Sequence, residues 1–218
     1  MHMADALVSP PVATGMAVAS LAVGAYSIFR IKKENKPENI PVMGVMGAFV
    51  FATQMVNFTI PGTGSSGHLC GGLLLSALIG PYGGFLSMMA ILLLQCLLFA
   101  DGGLMAYGCN VWNMAFYACF FGYFCIYKPI LSKNPSKKKI LIASILGSVL
   151  SLQLGAFSVT LETLISGVTE LPFLTFLSFM QPIHLAIGFV EGLITSAVLI
   201  FVYNTRPEML NINEKTNE

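Results

Sequence analysis

The chain has 218 residues, of which 56% are hydrophobic and only 10% are charged. Soluble globular domains carry about 25% charged residues, so this composition excludes a soluble protein and indicates a polytopic membrane protein of one domain. The net charge of +1 gives no sign of a nucleic-acid partner.

Seven apolar stretches are long enough, or nearly so, to cross a lipid bilayer, which takes roughly 20 residues. Short polar or Gly/Pro-rich segments separate them, and the third and fourth meet at Gly80-Pro81 with almost no loop. The predicted fold is an all-α bundle of seven transmembrane helices. Their approximate limits are 11–29, 42–58, 67–80, 82–100, 110–129, 140–165 and 183–203.

The basic residues predict the orientation of this bundle. With seven spans, all eleven Lys and Arg residues fall at helix ends that face the same side. Cytoplasmic loops carry the basic excess, so we expect the N-terminus outside and the C-terminus in the cytoplasm. If the third stretch did not cross, the basic loop at 128–139 would face outward, against this rule. The predicted outward segments contain no Lys or Arg: 1–10, 59–66, 101–109 and 166–182.

The first two residues form a candidate chelate. No basic residue precedes the first apolar stretch, so a signal peptide is not indicated and Met1 is expected to keep its amine. That amine, the His2 amide nitrogen and His2 Nδ1 can reach one ion, closing a five-membered and a six-membered ring. Three nitrogens in a plane suit Ni²⁺ or Cu²⁺ and leave one in-plane position open. The alternative is that His2 is simply the residue after the start codon.

His68 begins the third stretch, on the same side as the N-terminus, and could fill that open position, since imidazole is the commonest metal ligand. The alternative is a capping or hydrogen-bonding histidine. Gly62, Gly64 and Gly67 match G-x-G-x-x-G, but a dinucleotide fingerprint lies between a strand and a helix. A nucleotide site is therefore rejected, and the glycines are expected to let the loop fold around the N-terminal segment.

Outward polar residues could support these ligands. Asp5 and Asp101 are carboxylates that could orient an imidazole N–H, although a solvated loop Asp is the alternative for each. Ser65, Ser66 and Asn110 lie in the same outward segments and are included as candidate neighbours.

Two further groups lie within the spans. His184 and Glu191 share one face of the last span; ionisable residues inside a membrane suggest function, but a structural pair bonded to neighbouring helices is the preferred interpretation. Gly44, Ala48 and Ala52 form a small-residue face on the second span that lets another helix approach, either from this chain or from a second protein.

Other chemistry is not indicated. The five Cys form no C-x-x-C pair, and most lie in apolar runs where a free Cys behaves as a small hydrophobe. The chain has no P-loop, H-E-x-x-H or G-x-S-x-G motif, so neither ATP hydrolysis nor familiar protease or esterase chemistry is supported.

Four separated motifs resemble the cobalt/nickel substrate-binding (S) components of energy-coupling-factor transporters, the CbiM/NikM family. Met3 and Ala6 depart from the family's usual isoleucine and glycine, and the loop before His68 is similar but reads as one residue longer. The motifs are the opening Met1-His2 with Ala4-Asp5 and Ser9-Pro10, the loop 58–69, the turn 101–110 and the segment 182–195.

The resemblance implies a seven-helix S component over 1–206 in a prokaryotic cell membrane, with a metal-chelating segment 1–10 and a polar cytoplasmic tail over 207–218. It implies that Met1, His2 and His68 bind Ni²⁺ or Co²⁺ as the transported substrate, with no organic cofactor and no enzymatic activity. The implied partners are an integral T subunit, two ATPases and, as a separate polypeptide, any small accessory membrane subunit. The alternatives are a metal-carrying factor or enzyme of cobalamin synthesis and a structural protein without a ligand.

Overall fold

The structure, a computed structural model, describes residues 1–34, 39–169 and 171–211. Lys36, Lys215 and the tail over 212–218 lie outside the described residues. A short antiparallel pair of strands, β1 (Phe58–Ile60) and β2 (Ser65–Gly67), separates the first two long helices from the rest. The long helices are α1 (Pro10–Glu34), α2 (Asn39–Gln54), α3 (Gly72–Phe99), α4 (Tyr107–Leu131), α5 (Lys137–Ser166) and α6 (Phe173–Thr205).

The described helices make a multi-pass membrane bundle, as the composition predicts. Five of them are long and apolar enough to cross a membrane, and α2, with 16 residues, is a shorter apolar helix. Large apolar side chains remain exposed on the outside of the bundle, among them Leu98, Ile165 and Phe201 at 67–72% exposure. Soluble proteins rarely leave so much apolar surface uncovered, whereas lipid covers it in a membrane.

The predicted helix over 67–80 is wrong in its first part. Ser65–Gly67 is a strand, helix begins only at Gly72, and α3 continues to Phe99 with non-helical backbone at Gly80 (φ 81°, ψ 159°). Glycine tolerates this positive φ, and Pro81 has no N–H with which to continue the hydrogen-bond ladder.

The chain reverses direction at this break. A Cβ placed on Gly84 would lie 3.0 Å from the main-chain nitrogen of Ser76, although eight residues of a straight helix span about 12 Å. Residues 72–79, the short arm of α3, therefore lie beside residues 81–99, the long arm, and run in the opposite direction. The short arm alone is too short to cross a membrane as a helix.

One end of the bundle collects the cations and is called the basic end. Arg30 donates to the Tyr82 hydroxyl at 3.0 Å, next to the break in α3, and the Tyr203 hydroxyl donates to the Pro135 carbonyl at 3.1 Å. The segments joined by these contacts carry every Lys and Arg that the structure describes. They are Arg30, Lys32, Lys33, Lys128, Lys133, Lys137, Lys138, Lys139 and Arg206.

Helix α6 is longer than predicted, because it begins at Phe173 rather than near 183 and continues through Pro182. Glycines bring it close to α5: a Cβ on Gly188 would lie 2.9 Å from Val149 Cα, and one on Gly192 would lie 2.5 Å from Ile145 Cα. Small residues permit such close helix contact in membranes. Helix α2 ends at Gln54 instead of near 58, since the chain then leads into β1.

Candidate metal centre

The N-terminal segment joins the strand pair inside the bundle. Met3 forms an antiparallel bridge with Ser65, and the Ser66 N–H donates to the His2 carbonyl at 3.3 Å. The Met1 amine donates to the Ser66 carbonyl. The first three residues are all buried, with Met1 at 1% exposure, so the start of the chain is a structural element and not a loose terminus.

Met3 is also bonded to the first turn of α4 and to the loop before it. Its N–H donates to Asn110 Oδ1 at 2.7 Å, its carbonyl accepts from Asn110 Nδ2 at 3.2 Å, and the Gly103 N–H donates to the same carbonyl at 2.8 Å. These bonds fix the main chain on one side of His2, while β2 fixes it on the other. Asn110, a candidate neighbour from the sequence, therefore holds the segment that carries the candidate ligands Met1 and His2.

The rings of His2 and His68 lie against each other, with centroids 4.6 Å apart and an angle of 28° between their planes. Each residue is only 3% exposed. His68 Nδ1 bonds the Leu69 carbonyl at 2.7 Å, which requires the proton on Nδ1 and leaves a lone pair on Nε2. Among the described residues, His68 Nε2 and both ring nitrogens of His2 make no hydrogen bond of good geometry. Buried polar atoms are normally satisfied, so these nitrogens, which lie together, form a candidate ligand site.

Asp101 and Gly102 border the His2 ring. Asp101 Oδ1 lies 3.2 Å from His2 Nδ1, and Asn57 donates to Asp101 Oδ2 at 2.7 Å. A Cβ on Gly102, which has φ +87°, would lie 3.0 Å from His2 Cδ2. The glycine therefore lets the loop pass directly over the imidazole.

Burial keeps the nitrogens of this site unprotonated. It lowers the pKa of the Met1 amine to about 5, against an opposing effect of the Asp101 charge. Burial, followed by the charge of the amine, lowers the pKa of His2 to about 3. The pKa of Asp101 is raised, mainly by burial. At neutral pH the amine and the imidazole therefore present lone pairs to an ion.

The other candidate neighbours have separate positions. Asp5 is exposed, and its Oδ1 accepts the Ala106 N–H at 3.0 Å, so it fastens the loop before α4. Ser65 and Ser66 lie on β2 beside the N-terminal segment, and neither hydroxyl makes a hydrogen bond of good geometry to a described residue. Both serines thus border the site, while Asp5 supports its outer wall.

Glu191 acts on the segment that carries His68. Its two carboxylate oxygens accept the N–H groups of Cys70 at 2.5 Å and Gly71 at 3.1 Å. His184 bonds its own helix, through Nδ1 to the Met180 carbonyl at 2.8 Å, and its Nε2 makes no hydrogen bond of good geometry to any described residue. Glu191 is thus bonded to a neighbouring segment, whereas the hydrogen bond of His184 stays within its own helix.

Gly44, Ala48 and Ala52 are exposed on α2. Gly44 and Ala48 border a groove of about 500 Å³ between α2 and the long arm of α3, whose other wall includes Leu94 and Leu98. No described residue lies within 4 Å of a Cβ built on Gly44. The small-residue face is therefore open along its length.

The sequence did not single out Gln95. This residue is fully buried, lies beside the His2 ring, and neither atom of its amide group makes a hydrogen bond of good geometry. The feature of the sequence that could have identified Gln95 is a single amide side chain within the apolar run of the long arm. Within the described ranges, no three His, Cys, Asp or Glu side chains cluster in a way that could hold a metal.

Known proteins are similar to this chain in sequence and in fold. The family model described as the cobalt uptake substrate-specific transmembrane region matches residues 2–209. A putative fused nickel transport protein NikMN of Archaeoglobus fulgidus is 36% identical over 210 residues, which cover 96% of this chain and 68% of that protein. The chain covers 66% of a probable fused nickel transport protein LarMN of Lactiplantibacillus plantarum, at 32% identity.

Relatives of similar length give the same result. The cobalt transport protein CbiM of Sorangium cellulosum is 31% identical over 193 residues, covering 86% of this chain and 83% of that protein. A crystal structure of a truncated transition metal transporter has a TM-score of 0.84 at 29% identity, covering 94% of this chain and 99% of that one. The chain therefore belongs to the CbiM family of cobalt and nickel transport proteins, which are membrane transporters and not enzymes.

Proposed function

We propose that the chain is the substrate-binding (S) subunit of an energy-coupling-factor transporter that imports Ni²⁺ or Co²⁺. Four nitrogens hold the ion in one plane: the Met1 amine, the His2 amide, His2 Nδ1 and His68 Nε2. The observation that carries the proposal is the meeting of a buried chain N-terminus with two imidazoles. In the part of the chain that the structure describes, His68 Nδ1 is the one ring nitrogen of the pair that makes a hydrogen bond of good geometry.

The separation of the rings supports this ligand set. Two imidazoles bound at adjacent positions of one ion, with metal–nitrogen distances of about 2.0 Å, have centroids about 4.5 Å apart. The His2 and His68 centroids are 4.6 Å apart. Chelation through the amide and Nδ1 would keep the His2 ring near the ligand plane, and the His68 ring is inclined to the His2 ring by 28°.

The Ser66 carbonyl supports the amine ligand. An unprotonated amine has two N–H donors and one lone pair, so it can donate to this carbonyl and still bind an ion. The hydrogen bond recorded between the Met1 amine and Ser66 is therefore compatible with binding and orients the lone pair. In this arrangement β2 positions the amine through the Ser66 carbonyl, and His68 follows directly after the strand.

We further propose seven crossings, with the site facing outward and the basic end in the cytoplasm. The strand β2 and the short arm lead from the site to the break at Gly80, which lies at the basic end, so this part of the chain makes the third crossing. Non-helical backbone is tolerated at membrane depth when it is buried in protein. The concentration of cations at one end supports the orientation.

The proposed partners are those that the family resemblance implies: two ATPase subunits, an integral T subunit and any small accessory subunit as a separate polypeptide. Separate ATPases are consistent with the lack of a P-loop in this chain. We assign the open face of Gly44, Ala48 and Ala52 to helix contact with the T subunit, because small residues let helices approach closely.

Uptake of radioactive Ni²⁺ or Co²⁺ tests this function. Cells that express the chain with its T and ATPase subunits should accumulate the ion, while cells with the chain alone should only bind it, at one ion per chain. A His2→Ala chain with the same subunits is the matched control and should give background uptake. Equal uptake with His2→Ala, or none with the complete set of subunits, would contradict the proposal.

Binding at pH 7 should release about one proton per ion, because only the His2 amide must lose one. The Met1 amine, with a pKa of about 5, and His2, with a pKa of about 3, are already unprotonated. As the pH falls toward 5, the amine gains a proton that competes with the ion, so affinity falls and proton release increases. Calorimetry in two buffers of different ionisation enthalpy measures this number, and release of two protons at pH 7 would show that the amine is exposed before binding.

A further inference from the structure

The last described residues fold back onto the basic end of the bundle. Residues 206–211, called the C-terminal strap, contain a short helical turn at Pro207–Met209, and Leu210 is only 6% exposed. The Asn211 N–H donates to the Ala77 carbonyl at 2.8 Å, and the Tyr123 hydroxyl donates to the Asn211 carbonyl at 2.6 Å. The strap is therefore bonded to the short arm of α3 and to α4.

The bond to Ala77 compensates for the break in α3. In an unbroken helix the Ala77 carbonyl would accept from the N–H of residue 81, but Pro81 has none. Asn211 supplies the missing donor from the far end of the described chain. The side chain of Asn211 also covers the break, since a Cβ on Gly80 would lie 2.8 Å from its Nδ2.

The opposite end of the short arm carries the metal site. His68 lies just before Cys70 and Gly71, whose N–H groups bond the Glu191 carboxylate. The sides of the arm are tightly packed: a Cβ on Gly72 would lie 2.7 Å from Ala118 Cβ, and one on Gly147 would lie 2.6 Å from Leu73 Cδ2. An arm of about 12 Å, held closely along its sides, transmits a displacement at one end to the other.

We propose that the C-terminal strap is a positioning element for His68, acting through the short arm, and that displacing it at the basic end speeds release of the bound ion. This rests on the proposed function. Without Asn211, the Ala77 carbonyl has no donor, and a buried unsatisfied carbonyl is costly. The short arm therefore shifts to a new position, and His68 Nε2 moves out of the proposed ligand plane with it. In the proposed orientation the basic end faces the cytoplasm, where the proposed ATPase subunits act.

An Asn211→Pro variant tests the strap directly. Leu210 has extended backbone (φ −79°, ψ 122°), which suits a following proline, so the substitution removes the N–H without distorting the preceding residue. Asn211→Ala keeps the N–H and is the matched control. We expect Ni²⁺ transfer from purified protein to excess chelator to be about 10-fold faster for Asn211→Pro, as for loss of other supporting contacts at metal sites, and unchanged for Asn211→Ala.

A His68→Gln background separates positioning from general loosening of the fold. There, Cu²⁺ held by the three N-terminal nitrogens serves as the probe, and Asn211→Pro should no longer change its release rate, since sites that act through one residue are not additive. Persistence of the acceleration in that background would overturn the proposal. If the proline variant folds poorly, Tyr123→Phe provides a second test, because it removes the hydroxyl that donates to the Asn211 carbonyl. This variant should also release the ion faster than wild type.

The outcomes are distinguishable from failure of the proposed function. If wild-type protein binds Ni²⁺ through His2 and His68, but neither Asn211→Pro nor Tyr123→Phe changes its release rate, the strap proposal alone is wrong. If the His68→Gln substitution, made in a protein with an unaltered strap, leaves Ni²⁺ binding unchanged, the proposed ligand set is wrong. The strap proposal is then wrong as well.

Discussion

One residue added before Met1 should abolish tight binding of Ni²⁺ and Co²⁺. The addition converts the terminal amine into an amide, whose lone pair is delocalised, and moves the new amine out of the chelate. The extra residue would also have to fit into a buried site, because Met1 is 1% exposed and its amine already contacts the Ser66 carbonyl. Elemental analysis and calorimetry of the purified protein should show a loss of at least about 100-fold in affinity.

Removal of the added residue provides the control. A protease that cleaves just before Met1 should restore one ion per chain in the same protein sample, which excludes misfolding as the cause of the loss. An extended protein that binds with unchanged affinity would show that the amine is not a ligand.

Replacing His68 with Gln should also weaken Ni²⁺ binding by at least about 100-fold, because no imidazole then completes the ligand plane. The visible ligand-field band of planar Ni²⁺ should disappear with it. His184→Gln is the matched control: His184 is equally buried, bonds a carbonyl through Nδ1 and has an unpartnered Nε2. Calorimetry should find its affinity within about 3-fold of wild type, since Glu191, not His184, holds the segment that carries His68.

Equal losses in the two variants would contradict this assignment. They would indicate that both buried histidines contribute to one site, or that either substitution loosens the bundle. Thermal unfolding of the metal-free variants separates these cases, because a ligand change leaves the stability of the empty protein unaltered.

The pairing of His2 with His68 was predictable because it depends on residue type and topology alone. Both residues fall on the side without cations, and the structure brings their rings to 4.6 Å. The membrane bundle was likewise predictable, since apolar run length and charge position determine it. Both features can be read from residue types, from the length of the apolar runs and from the positions of the charged residues along the chain.

Other parts depend on contacts between distant residues. The strands β1 and β2 have three residues each, too few for an alternating pattern to predict them. Glu191 bonds the N–H of Cys70, which is 121 positions away, so its role as a clamp on the His68 segment has no sequence signal. The reversal at Gly80 was visible as Gly-Pro, but the contact with the neighbouring arm that follows from it was not.

The short arm also dictates when the site can form during synthesis. An eight-residue apolar helix with a broken end is too brief for the insertion machinery to treat as an independent segment, so it enters the bilayer together with its neighbour as a hairpin. Both of its free ends stay unsatisfied until Glu191 and Asn211 have left the ribosome. A chain terminated before Glu191 would thus insert most of its helices yet lack the carboxylate that holds the segment carrying His68.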